Sequence, residues 1–169
     1  PASFEKNPDW VIFPSLSARK HVWLNRQQKA AGDILGLSPF NRLEINEGAN
    51  AGIIACGLSY NYVREALRLT GLKASVLKIG APYPLPAPPV LELFKHAERI
   101  LVIEEQEPVV EDQVISLAWQ HRLESRISGK HDRLALREGE FNVYKVKAII
   151  EKFFDLQPAP AGETPLPEL

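Results

Sequence analysis

From residue 50 onward, short apolar runs alternate along the chain with amphipathic stretches. The runs are AGIIACG (51–57), KASVLKI (73–79), RILVIEE (99–105) and, more weakly, RISGK (126–130). A short apolar run that ends at a glycine or a charged residue is typical of a strand buried on both faces. Strands that alternate with helices predict a parallel sheet with helices on both of its faces.

Helical spacing of apolar residues predicts a helix after each of these strands. We expect Ser59 to cap the first helix and Gly71 to end it. The next two helices are predicted over 88–98 and over roughly 108–122. The last helix is expected to begin after Asn142, whose side chain is a favourable N-cap.

A further helix (16–36) and a short extended piece, RLEIN (42–46), precede this alternation. We expect residues 1–41 to form an N-terminal arm with its helix and residues 42–156 to form the α/β domain. The segment QPAPAGETPLPEL (157–169) is rich in proline and is expected to be a tail or linker. A chain of 169 residues is long enough for one such domain with a proper core.

Charge and cysteine content exclude several classes of function. The formal net charge of −1 gives no reason to expect nucleic acid or an anionic membrane as a partner. The single cysteine, Cys56, cannot form an intrachain disulfide or a four-cysteine cluster site. No apolar run is long enough to span a membrane and no signal peptide is visible, so we expect a cytoplasmic protein. The absence of methionine predicts a processed or excised piece of something longer.

The sequence lacks the motifs of self-contained catalysis that can be recognised by pattern. It has no glycine-rich dinucleotide fingerprint, no phosphate-binding loop that ends in lysine and serine or threonine, and no nucleophile elbow. Cys56 is a conceivable nucleophile and Lys78 a conceivable Schiff-base residue. The structural interpretation is favoured for both, because a lone cysteine is usually packed and most strand lysines only extend to solvent.

Charged residues lie where the predicted strands end. Glu104 and Glu105 close the central strand at the carboxyl edge of the sheet, which is where α/β proteins place ligands. With Glu107 they also precede a helix, and acidic residues complement a helix N-terminus, which is the simpler interpretation. Lys130 ends the fourth strand at the same edge, so an ion pair with one of these carboxylates is conceivable.

The segment IGAPYPLPAPP (79–89) contains five prolines and leaves the second strand at this same edge. Each proline restricts its own backbone and that of the preceding residue, so the segment is expected to be stiff and extended. Tyr60, Tyr62 and Tyr83 are predicted to gather near these strand ends, where rings with hydroxyl groups suit an interface that is half apolar and half wet.

Several blocks of the sequence resemble the thiamine-diphosphate-dependent 2-oxoacid:ferredoxin oxidoreductases, in particular the large (alpha) subunit of indolepyruvate ferredoxin oxidoreductase. The resemblance covers about residues 14–155, and the YPLP and VIEEQEP segments together are its most specific part. The blocks are PSLSARKHVWLNRQQKA (14–30), GIIACGLSYNYVREAL (52–67), LKIGAPYPLP (77–86), ILVIEEQEPVVEDQV (100–114), SGK (128–130) and GEFN (139–142).

The resemblance implies the subunit's middle domain, similar to the C-terminal domain of transketolase. That fold is a three-layer α/β/α sandwich with a mostly parallel five-stranded sheet, in which RLEIN supplies an antiparallel edge strand. The implied parent enzyme oxidatively decarboxylates aryl 2-oxoacids such as indolepyruvate on thiamine diphosphate with Mg²⁺. It passes electrons through [4Fe-4S] clusters to ferredoxin and the acyl group to coenzyme A.

The resemblance carries over no catalytic, cofactor-binding or metal-binding residue, because the sequence has no GDG motif and only one cysteine. The implied partners are other domains of the same subunit, a second (beta) subunit, ferredoxin and coenzyme A. The domain is then a non-catalytic structural and interface module. Its candidate interface residues are Tyr83, Pro84, Leu85, Pro86, Glu104, Glu105 and Lys130.

Two alternatives remain open at this point. A free-standing regulatory domain would bind a small anion or a nucleotide through Lys130 and the helix N-termini. A self-contained enzyme would act through Glu104 and Glu105, but a perturbed pair of carboxylates needs a partner group that the sequence does not reveal.

Overall fold

A computed structural model describes residues 3–7, 10 and 13–155; the predicted tail at 157–169 lies outside them. The described residues form five helices and five strands. In chain order these are α1 (Pro14–Gly36), β1 (Arg42–Glu44), β2 (Ala51–Cys56), α2 (Ser59–Thr70), β3 (Ser75–Ile79), α3 (Ala87–Lys95), β4 (Arg99–Ile103), α4 (Val109–Gln120), β5 (Arg126–Ser128) and α5 (Val143–Phe153).

The described strands make one sheet in the order β1-β3-β2-β4-β5. Strand β2 pairs in parallel with β3 on one side and with β4 on the other, and β5 extends the sheet in parallel beyond β4. Strand β1 pairs antiparallel with β3, with Leu43 opposite Leu77. The predicted mostly parallel five-stranded sheet, with an antiparallel edge strand from RLEIN, is therefore confirmed.

Alternate strand residues face opposite sides of the sheet, and each side has its own layer of helices. Ile53, Val76 and Leu101 belong to the core that also contains buried residues of α2 and α5. The neighbouring residues Ile54 and Leu77 belong to the second core, which is completed by α3 and α4. This arrangement is the predicted three-layer α/β/α sandwich.

The ends of the helices follow the predicted caps in two of three cases. Gly71 ends α2 with a left-handed φ of 71°, and the Asn142 side chain accepts a hydrogen bond from the backbone N–H of Lys145. The prediction that Ser59 caps α2 is wrong, since Leu58 occupies the N-cap position and no side chain caps this helix. Ser59 is instead the first helical residue and is buried.

The proline-rich segment is anchored to α4 by one side chain. The Gln113 carbonyl oxygen accepts a hydrogen bond from the backbone N–H of Leu85, and the Gln113 amide group donates to the backbone oxygen of Pro82. Pro86 occupies the N-cap position of α3, so its two following prolines fall in the first turn, where a missing N–H costs nothing. The connection from β3 to α3 is therefore held in one path.

Helix α1 contacts the α/β domain near its C-terminal end. Gln28 accepts a hydrogen bond from the Tyr83 hydroxyl at 3.1 Å, and Gly32 lies against the ring of Pro84. Every residue from 17 to 27 is exposed, and α1 contains no buried residue. Its first half therefore stands away from the sheet and its helices. No helix in the described ranges is long and apolar enough to cross a membrane.

Two glycines are expected to respond to alanine in opposite directions. A Cβ atom at Gly52 in β2 would lie 2.9 Å from Ile100 Cδ1, inside the core, so Gly52→Ala should lower the free energy of unfolding by about 1–3 kcal/mol. A Cβ atom at Gly32 in α1 would lie 3.6 Å from Pro84 Cγ, an ordinary contact, so Gly32→Ala should raise it by about 0.5–1 kcal/mol. Urea unfolding of both variants measures the two changes, and equal signs would contradict this packing.

Candidate functional site

A crevice opens at the carboxyl edge of the sheet, between the ends of β2 and β4. It has a volume of about 370 Å³ and is lined by residues 56–59, Pro82, residues 104–107 and Val109. Strand β3 lies on one side of β2 and β4 lies on the other, so the direction in which successive strands are added to the sheet reverses at β2. Such a reversal is where α/β sheets bind ligands, and we call this feature the switch-point crevice.

Glu104 lies on the β4 side of the switch-point crevice and is only 5% exposed. Its two carboxylate oxygens accept hydrogen bonds from the backbone N–H groups of Val110 and Glu111, each at 2.8 Å. Burial raises the pKa of this carboxyl, while the two N–H groups act in the opposite direction. Glu104 therefore caps α4, because the residue at the N-cap position is Pro108, which has no polar side chain.

Glu105 and Glu107 tie the same turn to the loop before α5. Glu105 accepts a hydrogen bond from the backbone N–H of Phe141 at 3.1 Å, and Glu107 pairs with Arg137 at 3.4 Å. Phe141 is buried in the core beside α5. The EEQE and GEFN segments are thus neighbours in the fold, although more than 30 residues separate them in the sequence.

Lys130 lies near these carboxylates but makes no ion pair with any of them in the part of the chain that the structure describes. Its ammonium group donates to the backbone oxygen of Leu136 at 2.7 Å and lies 5.1 Å from the centre of the Phe141 ring. Burial lowers the pKa of Lys130, whereas the charge of Glu104 acts to raise it. The conceived ion pair is not formed between the described side chains.

Sequence reasoning missed Glu111, which is 1% exposed. Its carboxylate accepts hydrogen bonds from the backbone N–H groups of Lys130 at 2.7 Å and His131 at 3.2 Å. A Cβ atom at Gly129 would lie 2.6 Å from the same carboxylate, so only glycine leaves room for it. The glycine after the RIS strand was the available signal, but it does not say which side chain fills the space.

The two conceivable nucleophiles are not placed for catalysis. Burial, and then the nearby charge of Glu104, raise the pKa of the Cys56 thiol, which favours the unreactive protonated form. The ammonium nitrogen of Lys78, which is on β3, lies 5.4 Å from the centre of the Tyr60 ring on α2. No group of three or more His, Cys, Asp and Glu side chains among the described residues is arranged to hold a metal ion.

The structure does not bring the three tyrosines together. The Tyr60 hydroxyl donates to Glu44 of β1 at 2.8 Å, and Tyr62 packs against the core between the sheet and α5. Tyr83 is 58% exposed and reaches α1 instead. Of these three tyrosines, only Tyr83 therefore offers the exposed ring that an interface would use.

A larger cavity, about 680 Å³, lies at the opposite edge of the sheet. It is lined by residues that precede β2, β4 and β5, so it faces the amino ends of the strands. Two of its polar groups have partners: Ser125 donates to the oxygen of Ala97, and the backbone oxygen of Asn50 accepts from the backbone N–H of Glu98. The switch-point crevice is the better candidate on position, because α/β sheets bind ligands at the carboxyl ends of their strands.

Comparison with known proteins agrees with this fold. The sequence profile of the indolepyruvate oxidoreductase domain matches residues 41–154. Indolepyruvate oxidoreductase subunit IorA from Pyrococcus horikoshii is 38% identical over 92% of this chain, and its counterpart from Pyrococcus abyssi is 40% identical over 91%. The chain spans about a quarter of the length of these curated relatives, 24% in each case.

Two solved structures share the fold at 18% sequence identity. One is 2-oxoglutarate:ferredoxin oxidoreductase from Magnetococcus marinus with 2-oxoglutarate, coenzyme A and succinyl-CoA bound, which has a TM-score of 0.55 and covers 85% of this chain and 24% of its own. The other is a split-gene transketolase described as an inactive β4 tetramer, with a TM-score of 0.53, covering 68% of this chain and 42% of its own. The predicted likeness to 2-oxoacid:ferredoxin oxidoreductases and to transketolase is confirmed. Because the profile matches most of the described residues and the curated relatives align along nearly all of the sequence, this chain belongs to the indolepyruvate oxidoreductase domain family.

Proposed function

We propose that this chain is a non-catalytic structural and interface domain of a thiamine-diphosphate-dependent oxidoreductase. The whole enzyme would oxidatively decarboxylate aryl 2-oxoacids such as indolepyruvate to acyl-CoA, with ferredoxin as the electron acceptor. The curated relatives named as indolepyruvate oxidoreductase subunits support this assignment, and the chain corresponds to 24% of their length. Other domains of the same subunit and a second subunit are then its direct partners.

The residues of this chain do not fit the cofactors of such an enzyme. An iron–sulfur cluster needs several cysteine ligands, and the sequence has only Cys56. The buried carboxylates that Mg²⁺ would need are already used, since Glu104 binds the start of α4 and Glu111 binds the backbone at Lys130. Thiamine diphosphate, Mg²⁺ and [4Fe-4S] clusters therefore belong to other parts of the proposed enzyme.

The exposed apolar residues of α1 are the observation that carries the interface role. Val22 is 53% exposed and Trp23 is 60% exposed, and both lie in the half of α1 that stands away from the domain. Most of the stability of a helix in a protein comes from packing of its apolar face, and the exposed half of α1 has little of that packing. Contiguous exposed apolar surface usually marks a site of protein interaction. A partner that packs on α1 accounts for both properties, and Tyr83 at the base of the helix would extend the same surface.

The isolated 169-residue chain is expected to show no saturable binding of thiamine diphosphate in the presence of Mg²⁺. The physical reason is that no group of three or more His, Cys, Asp and Glu side chains in the described part of the chain is arranged to hold the metal that anchors the diphosphate. Isothermal titration calorimetry measures this directly, with the intact parent enzyme as the positive control. Micromolar binding by the isolated chain would overturn the non-catalytic assignment.

A further inference from the structure

The switch-point crevice contains a buried hydroxyl group that has no partner. Ser59 lines the crevice and is 1% exposed. Its Oγ atom is the one buried side-chain nitrogen or oxygen among the described residues without a hydrogen bond. Buried polar groups are almost always paired, by the protein itself or by something bound to it. The hydroxyl therefore points to an occupant of the crevice.

The charges around the crevice define what kind of group fits there. Glu104, Glu105 and Glu107 supply three carboxyl groups, and the lining contains no lysine, arginine or histidine. Glu107 is partly neutralised by Arg137 from outside the crevice, and Glu104 by the start of α4. Glu105 keeps one carboxylate oxygen without a hydrogen bond in the described part of the chain, since only its Oε1 is bound by Phe141. This wall attracts a cationic donor and repels an anion.

The size of the crevice favours a single side chain over a nucleotide. Its volume of about 370 Å³ lies near the lower limit of small-molecule sites, which span roughly 300–1,000 Å³. A guanidinium group is planar and can bind a carboxylate through two parallel hydrogen bonds, which a compact ammonium group cannot do. Its remaining N–H groups would donate to the Ser59 hydroxyl.

We propose that the switch-point crevice receives an arginine side chain of a neighbouring domain or subunit, bound by Glu105 and Ser59. This inference rests on the proposed interface function and adds the chemistry of the partner. It also gives the crevice a role that needs no catalysis. Arginine is well suited to such a position because it stays charged when it is partly removed from water.

The test uses two small probes and the ¹⁵N-labelled chain. N-acetyl-arginine amide is titrated and followed by NMR, with N-acetyl-citrulline amide as a neutral probe of nearly the same shape. Saturable shifts of the Gly57, Ser59 and Glu105 amides are expected with the arginine probe. The citrulline probe should bind at least about tenfold more weakly, because its urea group carries no positive charge to pair with the Glu105 carboxylate. Absence of saturable shifts, or equal binding of both probes, would overturn the proposal.

Variants locate the binding on the crevice. Glu105→Gln is expected to lower the affinity for the arginine probe about tenfold, and Ser59→Ala is expected to lower it by a smaller factor. Ser59→Ala removes a hydroxyl without a partner, so its urea midpoint should be equal to or above that of the wild type. Glu124→Gln, in the cavity at the opposite edge of the sheet, is the matched control and should leave the affinity unchanged. Equal affinities for Glu105→Gln and the wild type would sink the assignment. Thiamine diphosphate binding is measured separately, so failure of this site remains distinguishable from failure of the proposed function.

Discussion

Glu111→Ala is expected to lower the free energy of unfolding by about 3 kcal/mol. The side chain is 1% exposed and accepts hydrogen bonds from two backbone N–H groups, those of Lys130 and His131. Removing it leaves these donors without a partner in a protein interior, and each such loss costs about 1–3 kcal/mol. Urea unfolding at neutral pH, with unchanged dependence on denaturant, measures the difference.

The neighbouring residue provides a matched control. Asp112 also lies in the first turn of α4, but its side chain is 61% exposed and pairs with His131 at the surface. Asp112→Ala should therefore change the free energy of unfolding by less than about 1 kcal/mol, as exposed ion pairs do. A Glu111→Ala variant as stable as Asp112→Ala would show that water replaces the buried carboxylate without cost.

Trp23→Ala is expected to have little effect on the isolated chain and a large effect on the intact parent enzyme. The side chain is 60% exposed, so truncation in the isolated chain should change stability by no more than about 0.5 kcal/mol. If α1 docks on a neighbouring domain or subunit, the same truncation removes a buried aromatic anchor. Such anchors contribute about 2 kcal/mol or more, which corresponds to a roughly thirtyfold weaker association.

The measurement compares the same substitution in both contexts. Chemical unfolding gives the stability of the isolated chain, and sedimentation velocity with thermal unfolding gives the assembly of the parent enzyme. Trp119 on α4 is a matched control because it is 82% exposed and far from α1 in the sequence. We expect Trp119→Ala to change neither the stability of the isolated chain nor the assembly of the parent enzyme by much. If Trp23→Ala also has little effect on both, the main support for the interface role of α1 is lost.

The architecture of the sheet follows from local patterns in the sequence, which is why it could be predicted. A buried strand such as β2 shows its apolar run directly, and Gly71 and Asn142 act within one turn of the helices that they end or begin. The layers of helices on both faces followed from the alternation of strands with helices, whereas the antiparallel edge strand came from the family resemblance. The prediction that Ser59 caps α2 was wrong because serine is a favourable capping residue, but here it is the first residue inside the helix.

The site was predicted only in part because its contacts join distant segments. Glu104 and Glu105 were placed at the correct edge of the sheet, and the simple interpretation of Glu104 as a helix-capping charge agrees with its two hydrogen bonds. The partner of Glu111 is 19 residues away and is a backbone N–H, which leaves no trace in residue type. Contact with a partner stays a prediction for the seven candidate interface residues, which are Tyr83, Pro84, Leu85, Pro86, Glu104, Glu105 and Lys130.

The hydrogen bonds of Glu104 and Glu111 make the start of α4 a junction between three separate segments of the chain. One carboxylate comes to the helix from the end of β4, and the other goes from the helix to the loop at 129–131. If the end of β4 moves away, two N–H groups of α4 lose their acceptor Glu104, and if the loop moves away, its own N–H groups lose their acceptor Glu111. These segments should therefore open together as one cooperative unit rather than one at a time. Amide hydrogens at Val110 and Glu111 in α4 and at Lys130 in the loop after β5 would then exchange with solvent at a common slow rate.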